Sequence, residues 1–310
     1  MSSSQASEHN NSSESTEQQN STTHQRLKTS PLASNLNTYQ PACSHVNMIL
    51  IGEIGGGKSS LISTFHRALH PQLTSQSPIA GIGLNRTTAF TKKIKYYVLN
   101  EASTIITHDT KGLETLMRPE LEHVRAIRDG KIRDDVEVRQ KQEWTVWDYL
   151  MSIVTRNPDA ILDPDCLRNE QADILDIPHA VIFVVPANQR KIPTELTNFV
   201  HLFVEYGYMP LFAVTKIDCH GAEKGDLYAA TNLYDTKKEE IMKRFDFVDY
   251  DMIKPVQNYT QWDKRDLSIE NLALNLLQKA VLTSEMFIDR FVQRQKEYEE
   301  RNSIGGCNVQ

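Results

Sequence analysis

Eight consecutive residues carry the most definite chemistry in the chain: Gly52-Glu53-Ile54-Gly55-Gly56-Gly57-Lys58-Ser59. The spacing is GxxxxGK[ST]. Glycines at these places let the backbone curl so that successive N–H groups point inward at phosphate oxygens. A helix opening at the end of the curl adds its positive N-terminus. In that arrangement Gly55, Gly56 and Gly57 offer amides, and Lys58 supplies a point charge to the β- and γ-phosphates. The Ser59 hydroxyl is a ligand for Mg²⁺, and Ser60 follows it as a further nucleotide neighbour. Chance produces this pattern in about one chain in a hundred of this length. Here it also sits between an apolar run and a helical pattern, which is the context it demands. A nucleoside triphosphate is the expected ligand.

A second group of residues bears on the base. Guanine presents N1–H and N2–H₂ donors that a carboxylate can accept, whereas adenine has no such pair. Thr215-Lys216-Ile217-Asp218 follows an apolar run ending at Val214 and fits the pattern [NT]KxD. Asp218 would accept the two guanine donors while the Lys216 stem lies along the ring. The tetrapeptide alone is common, and its position at the carboxyl end of a strand is what gives it weight. Asn258, closing the run Asp251–Val256, is a candidate neighbour of the base or ribose.

A third group bears on the γ-phosphate. Asp109-Thr110-Lys111-Gly112 matches DxxG. It would place Asp109 near Mg²⁺ through a water and the Gly112 N–H on the γ-phosphate. Asn85-Arg86-Thr87-Thr88 lies between this box and the phosphate loop, and Thr88 is the candidate that reaches Mg²⁺ only while GTP is bound. Many small GTPases place a glutamine directly after the DxxG glycine to orient the attacking water. This chain has Leu113, which can neither donate nor accept a hydrogen bond. Hydrolysis is therefore expected to be slow or to need a group from a partner. No residue stands out as a general base, so whether the protein is an enzyme is left open.

These residues need a scaffold, and the apolar pattern describes one. The runs 46–51, 180–185, 210–214 and 251–256 show little alternation, as strands buried on both faces do. Between them lie helical spacings: Leu61, Phe65, Leu69; Leu196, Phe199, Val200, Phe203; and Ile269 through Val281. The runs 94–99 and 103–107 lie close together and suit an antiparallel pair. The expected fold is α/β: a doubly wound, mostly parallel sheet of the P-loop GTPase (G domain) class.

Composition bounds the rest. The 310 residues are 39% hydrophobic and 24% charged, with net charge −6. The acidic balance argues against a general nucleic-acid binder. No apolar run reaches the length of a membrane span, and the first residues carry no secretory signal. Cys43, Cys166, Cys219 and Cys307 form no CxxC pair, so neither zinc nor a disulfide framework is indicated. A cytoplasmic setting is expected. Of residues 1–40, 25 are Ser, Thr, Asn or Gln, too polar to offset the entropy of ordering, so 1–44 is expected to be a disordered tail. The G domain is then 45–300, with 301–310 a second flexible tail.

Taken together, the loop Gly52–Ser60, the stretch Asn85–Thr88 and the box Asp109–Leu113 resemble, in order, the motifs of the interferon-induced protein 44 family of P-loop GTPase-like proteins. Ile127-Arg128-Asp129-Gly130-Lys131-Ile132-Arg133-Asp134 is similar to a short segment, L-N-G-x-I-R-D, peculiar to that family. His179–Val184, Asn258-Tyr259 and Trp262 also correspond. The resemblance covers about residues 46–295. It implies a G domain with an insertion, guanine-nucleotide binding and a cytoplasmic setting, and does not imply fast turnover. Thr215–Asp218 departs from the family as a fuller guanine reader than some members keep.

The segment 114–176 exceeds what a small G domain needs. It mixes charge with Trp144, Trp147 and Tyr149 and is read as a helical insertion, a candidate surface for a homodimer or an effector protein. The chain ends Cys307-Asn308-Val309-Gln310, a C-a-a-X pattern of the farnesyl type. Membrane contact is expected only if Cys307 is prenylated, and would then be peripheral. The function read from the sequence is a guanine-nucleotide-binding P-loop protein with slow or partner-assisted hydrolysis, using Mg²⁺ with GTP or GDP. The rival readings are a hydrolysis-deficient, nucleotide-gated scaffold, favoured by Leu113, and a P-loop ATPase, which Asp218 argues against.

Overall fold

A run of apolar residues has nowhere to go in water, and the strand Val46–Gly52 (β1), with Asn47 its one polar side chain, is buried along its whole length. The same holds for Ala180–Pro186 (β4) and Leu211–Thr215 (β5). The computed structural model describes residues 30–72, 79–80, 95–110, 124–131, 172–218, 227–259 and 265–305. Its described helices are Pro31–Asn37 (α1), Lys58–Leu69 (α2), Thr194–Glu205 (α3), Leu227–Arg244 (α4) and Leu267–Gly305 (α5). The remaining strands are Lys95–Val98 (β2), Ile105–Asp109 (β3) and Ile253–Pro255 (β6). A helical turn at 124–128 and a 3₁₀ turn at Ile174–Asp176 lie between β3 and β4.

The six strands form one sheet in the order β2-β3-β1-β4-β5-β6. Only β2 runs antiparallel, on β3, with Lys95 opposite Asp109 and Val98 opposite Ile106. From β1 the chain moves toward β3, but from β4 it moves the other way, to β5 and β6. Right-handed crossovers in opposite directions place the intervening helices on opposite faces. Accordingly α2 packs with α1 and α5, while Phe203 of α3 meets Phe183 of β4 edge to face. The direction reverses between β1 and β4, and the carboxyl ends there flank the crevice in which such sheets hold ligands. The fold is thus the expected α/β class, with the phosphate-loop motif at the switch point. Fully buried Phe65, Phe183, Phe203, Phe212 and Phe245 contribute roughly 1.5–3 kcal/mol each.

The folded part begins earlier than residue 45. Helix α1 lies inside the stretch expected to be a polar tail, with Ala33 and Leu36 buried. Asn37 Nδ2 donates to Leu69 O (2.7 Å) and the Tyr39 hydroxyl to Glu285 Oε1 (2.9 Å). Two apolar residues three apart suffice here because α2 and α5 supply the other side of the contact. At the other end, α5 runs on through the expected tail boundary at 300 to Gly305. Of the expected insertion 114–176, the described parts are 124–131 and 172–176. Gly130 has φ +67°, and a Cβ there would meet Ala172 Cβ at 2.9 Å, so two reasons hold that position to glycine. Arg128 stacks on the Tyr206 ring at 4.3 Å and pairs with Asp129. The rest of the insertion, Trp144, Trp147 and Tyr149 included, lies outside the described residues. Among the described residues, no helix is long and apolar enough to cross a membrane.

Candidate nucleotide site

The loop between β1 and α2 is held open by its glycines. Gly55 has φ +70° and Gly57 φ +101°, conformations that side chains disfavour. The Gly56 N–H donates to Glu53 O at 3.1 Å, closing the curl. Gly52 is required for another reason: a Cβ there would lie 2.4 Å from Val184 O of β4. Gly57 precedes the first helical residue, so the free N–H groups of the first turn of α2 open on the loop.

Lys58 is buried, and its ammonium folds back over the loop, donating to Gly52 O (2.9 Å) and Glu53 O (3.1 Å). Burial pushes its pKa down to about 8, against the opposing pull of Asp109 and Glu53. The Glu53 carboxyl is pushed up, first by burial, although a hydrogen bond from Gln189 opposes the shift. That bond, Gln189 Nε2 to Glu53 Oε2 at 2.6 Å, spans the crevice from the β4–α3 loop to the phosphate loop. Lys237 of α4 donates to Gln189 O at 2.7 Å and pairs with Glu240, which itself accepts from the Ile192 N–H.

Ser59 Oγ donates to Asp109 Oδ2 at 2.6 Å. Asp109 ends β3, and Thr110 after it is fixed by donating to Leu50 O at 2.6 Å. A hydroxyl and a carboxylate side by side are hard oxygen donors of the kind Mg²⁺ takes. Mg²⁺ typically uses one or two protein oxygens and fills its other positions with water and phosphate. Among the described residues no group of three His, Cys, Asp or Glu could hold an ion without such help.

Thr215, the last residue of β5, is buried, and its hydroxyl donates to Gly56 O at 2.7 Å. It therefore braces the phosphate loop against the segment that carries Asp218. Lys216 follows in the left-handed region, φ +56°, and Asp218 is exposed on the turn after it. Asn258 comes to the same loop from the other side: its Nδ2 donates to Gly57 O at 3.1 Å, while its enclosed Oδ1 takes no hydrogen bond among the described residues. Tyr259 fastens this segment. Its N–H reaches Thr64 Oγ1 of α2, and its hydroxyl lies 3.0 Å from Glu270 Oε1. Glu270 is buried and held bidentately by Arg265.

Asp109, Thr215 and Asn258, from three separate stretches of chain, thus each contact the loop that carries the glycines, Lys58 and Ser59. Ser60 stands in the first turn of α2, where its carbonyl accepts from Thr64 Oγ1. Thr88, Gly112 and Cys307 lie outside the described residues. Sequence reasoning missed the Glu53–Gln189–Lys237 chain, because nothing in the spacing of these three residues signals a long-range polar contact.

No family model matches the chain, and no curated protein matches it significantly in sequence. Solved structures to which it is similar include the bacterial selenocysteine-specific elongation factor EF-Sec, at 14% identity over 77% of this chain and 29% of that one, TM-score 0.40. Another is translation elongation factor SelB from Methanococcus maripaludis in complex with the GTP analogue GppNHp, at 11% identity over 76% and 34%, TM-score 0.38. A third is an Era variant from Aquifex aeolicus bound to GDP·AlF₄⁻, at 15% identity over 68% and 50%, TM-score 0.33. The chain spans about a third of the two elongation factors and half of Era. The fold assignment rests on the sheet order and loop geometry described above.

Proposed function

We propose that this site binds a guanine nucleotide, GTP or GDP, together with Mg²⁺. The observation that carries the reading is the convergence on one glycine loop of a buried Lys58, the Ser59–Asp109 pair and the Thr215 brace. Lys58 and the loop amides neutralise phosphate charge, and the same groups would stabilise charge on a transferring phosphoryl group. Mg²⁺, when bound, would supply positive charge to offset that of the phosphates. Ser59, Asp109 and Thr88 are the residues that would hold it. Asp218 selects guanine through the N1–H and N2–H₂ donors, with Lys216 along the ring and the Gly112 N–H on the γ-phosphate. Asn258 Oδ1 is enclosed beside Gly57 and offers an acceptor to a ligand hydroxyl or amine.

Hydrolysis in this reading is slow or partner-assisted, since Leu113 cannot orient a water. Leu113 equally favours the second reading, a hydrolysis-deficient scaffold gated by nucleotide. The interferon-induced protein 44 resemblance fits either. The insertion as a homodimer or effector surface, a cytoplasmic location and prenylation of Cys307 are part of the same proposal. The test is competition of GTP and ATP for a fluorescent GTP analogue, with Asp218→Ala and Lys58→Ala as controls. The expected result is GTP displacing the probe at least about a hundredfold better than ATP, with that preference lost in Asp218→Ala. Equal competition by ATP would remove the guanine assignment.

A further inference from the structure

Helix α5 outruns the described residues it packs on. Its buried face ends at Phe287 and Ile288, yet the helix continues to Gly305, roughly 25 Å farther at 1.5 Å per residue. Along this projection Val292 is 38% exposed and Tyr298 69%. An isolated stretch of this length is only marginally helical in water unless something packs on it. The projection is also not polar all round. Ser284 and Phe287, buried against the body, Phe291 at its edge, and Arg294 and Tyr298 beyond it recur at alternating spacings of three and four, the seam spacing of paired helices. The seam opens on a groove of about 580 Å³ between α5 and the Tyr206-Gly207 turn that ends α3. Gly207, at φ +96°, contributes no side chain, and the Arg294 guanidinium lies over it, 3.1 Å from where a Cβ would stand.

Charge indicates what lies in this groove. Arg290 and Arg294 line it, and among the described residues neither has an acidic partner; Arg290 reaches only Met209 Sδ, at 3.9 Å. Seven residues beyond Arg290, on the same flank of the seam, stands Glu297, half exposed and, among the described residues, held by Gln293 and, at 4.0 Å, Arg301. Two such helices laid antiparallel would set Phe291 against the partner copy's Arg294 and bring Tyr298 to the rim of the partner copy's groove. The same alignment would set Arg290 against the partner copy's Glu297, and the two-fold axis would repeat each contact. The stripe is its own complement in shape and in charge.

We propose that the projecting half of α5 pairs antiparallel with the same segment of a second copy of this chain, the partner helix lying in the groove beside Tyr206 and Gly207. This pairing is separate from the nucleotide site and does not depend on its assignment. Sedimentation equilibrium of the full chain over roughly 1–100 µM, a range typical of helix-mediated self-association, tests it. A reversible dimer is expected. Arg290→Glu and Glu297→Arg each bring like charges together twice in the dimer and should weaken it about tenfold or more, while the double variant recovers most of the affinity. Both residues are outside the core, so the body should stay folded, and any loss of helical circular dichroism in the single variants should be confined to the projecting turns and return in the double variant. A chain that stays monomeric over the whole range, or a double variant no tighter than either single one, overturns the proposal.

Discussion

Ser59 and Asp109, fifty positions apart in sequence, share a hydrogen bond of 2.6 Å that joins the first turn of α2 to the end of β3. In the proposed function both oxygens face Mg²⁺, so their loss should show only when the ion is present. Ser59→Ala and Asp109→Ala are each expected to weaken nucleotide affinity about 10–100-fold in Mg²⁺. In excess EDTA both should match the parent to within about threefold. Titration of a fluorescent guanine nucleotide in the two buffers checks this, and equal losses in both would mean the pair only shapes the loop.

In the proposed function Lys58 would make nucleotide binding depend on pH in a defined direction. In the free protein burial holds its pKa at about 8, and a bound triphosphate restores the charged form. Below about pH 8 the lysine is already protonated, and its contribution to affinity is constant. Above it, binding must take up a proton, so affinity should fall by up to about tenfold per pH unit. Isothermal titration at pH 7, 8 and 9 in buffers of different ionisation enthalpy reads the proton directly. Proton uptake that is zero at pH 9, or unchanged in Lys58→Met, would refute this account.

His179 ties the start of β4 to β1. Its Nδ1 accepts from the Asn47 N–H at 3.0 Å, and Nε2 lies 2.8 Å from Ile174 O, so the neutral ring with its proton on Nε2 satisfies both. Burial holds its pKa at about 4. Between pH 6.5 and 4 the unfolded chain therefore binds a proton here that the folded one does not. The contribution of His179 is complete above about pH 6.5 and is lost on acidification, up to roughly 3 kcal/mol. Half-buried His66, also lowered to about 4 by burial, adds a smaller part in the same window. His179→Gln should cost about 1–3 kcal/mol at pH 7.5 and flatten the fall in stability toward pH 5. Urea unfolding at the two pH values separates these effects, and an undiminished fall would exclude His179 as the source.

Apolar runs made β1, β4 and β5 legible in the sequence because strands buried on both faces need no polar alternation. The β2–β3 pair was also readable, as two short runs around a turn. In that turn Asn100 Oδ1 accepts from Thr104 N and Ile105 N, a local contact that follows from residue type. Helix α4 was not readable: it carries Lys237 and Lys238 in buried positions, so its inward face looks polar until Gln189, Glu240 and the Tyr250 ring supply partners. Strand β6 shrank to three residues because a 3₁₀ turn, Tyr250–Met252, takes the start of its apolar run. The phosphate loop was fully visible, since its chemistry is local. Thr215 as a brace and Asn258 as its counterpart became visible only when the chain was folded, because each answers to a carbonyl more than 150 residues away.

The first glycine of the phosphate loop answers to a neighbour and not to a ligand. With Val184 O only 2.4 Å from where its β-carbon would stand, Gly52 fixes how closely two parallel strands converge at the mouth of the crevice. A methyl group there would act as a wedge, prising β1 from β4 and tilting the curl that begins one residue later. The floor of the anion cradle is therefore set by interstrand clearance, and because the obstructing atom belongs to the backbone, no side-chain change on the opposite strand would make room at position 52.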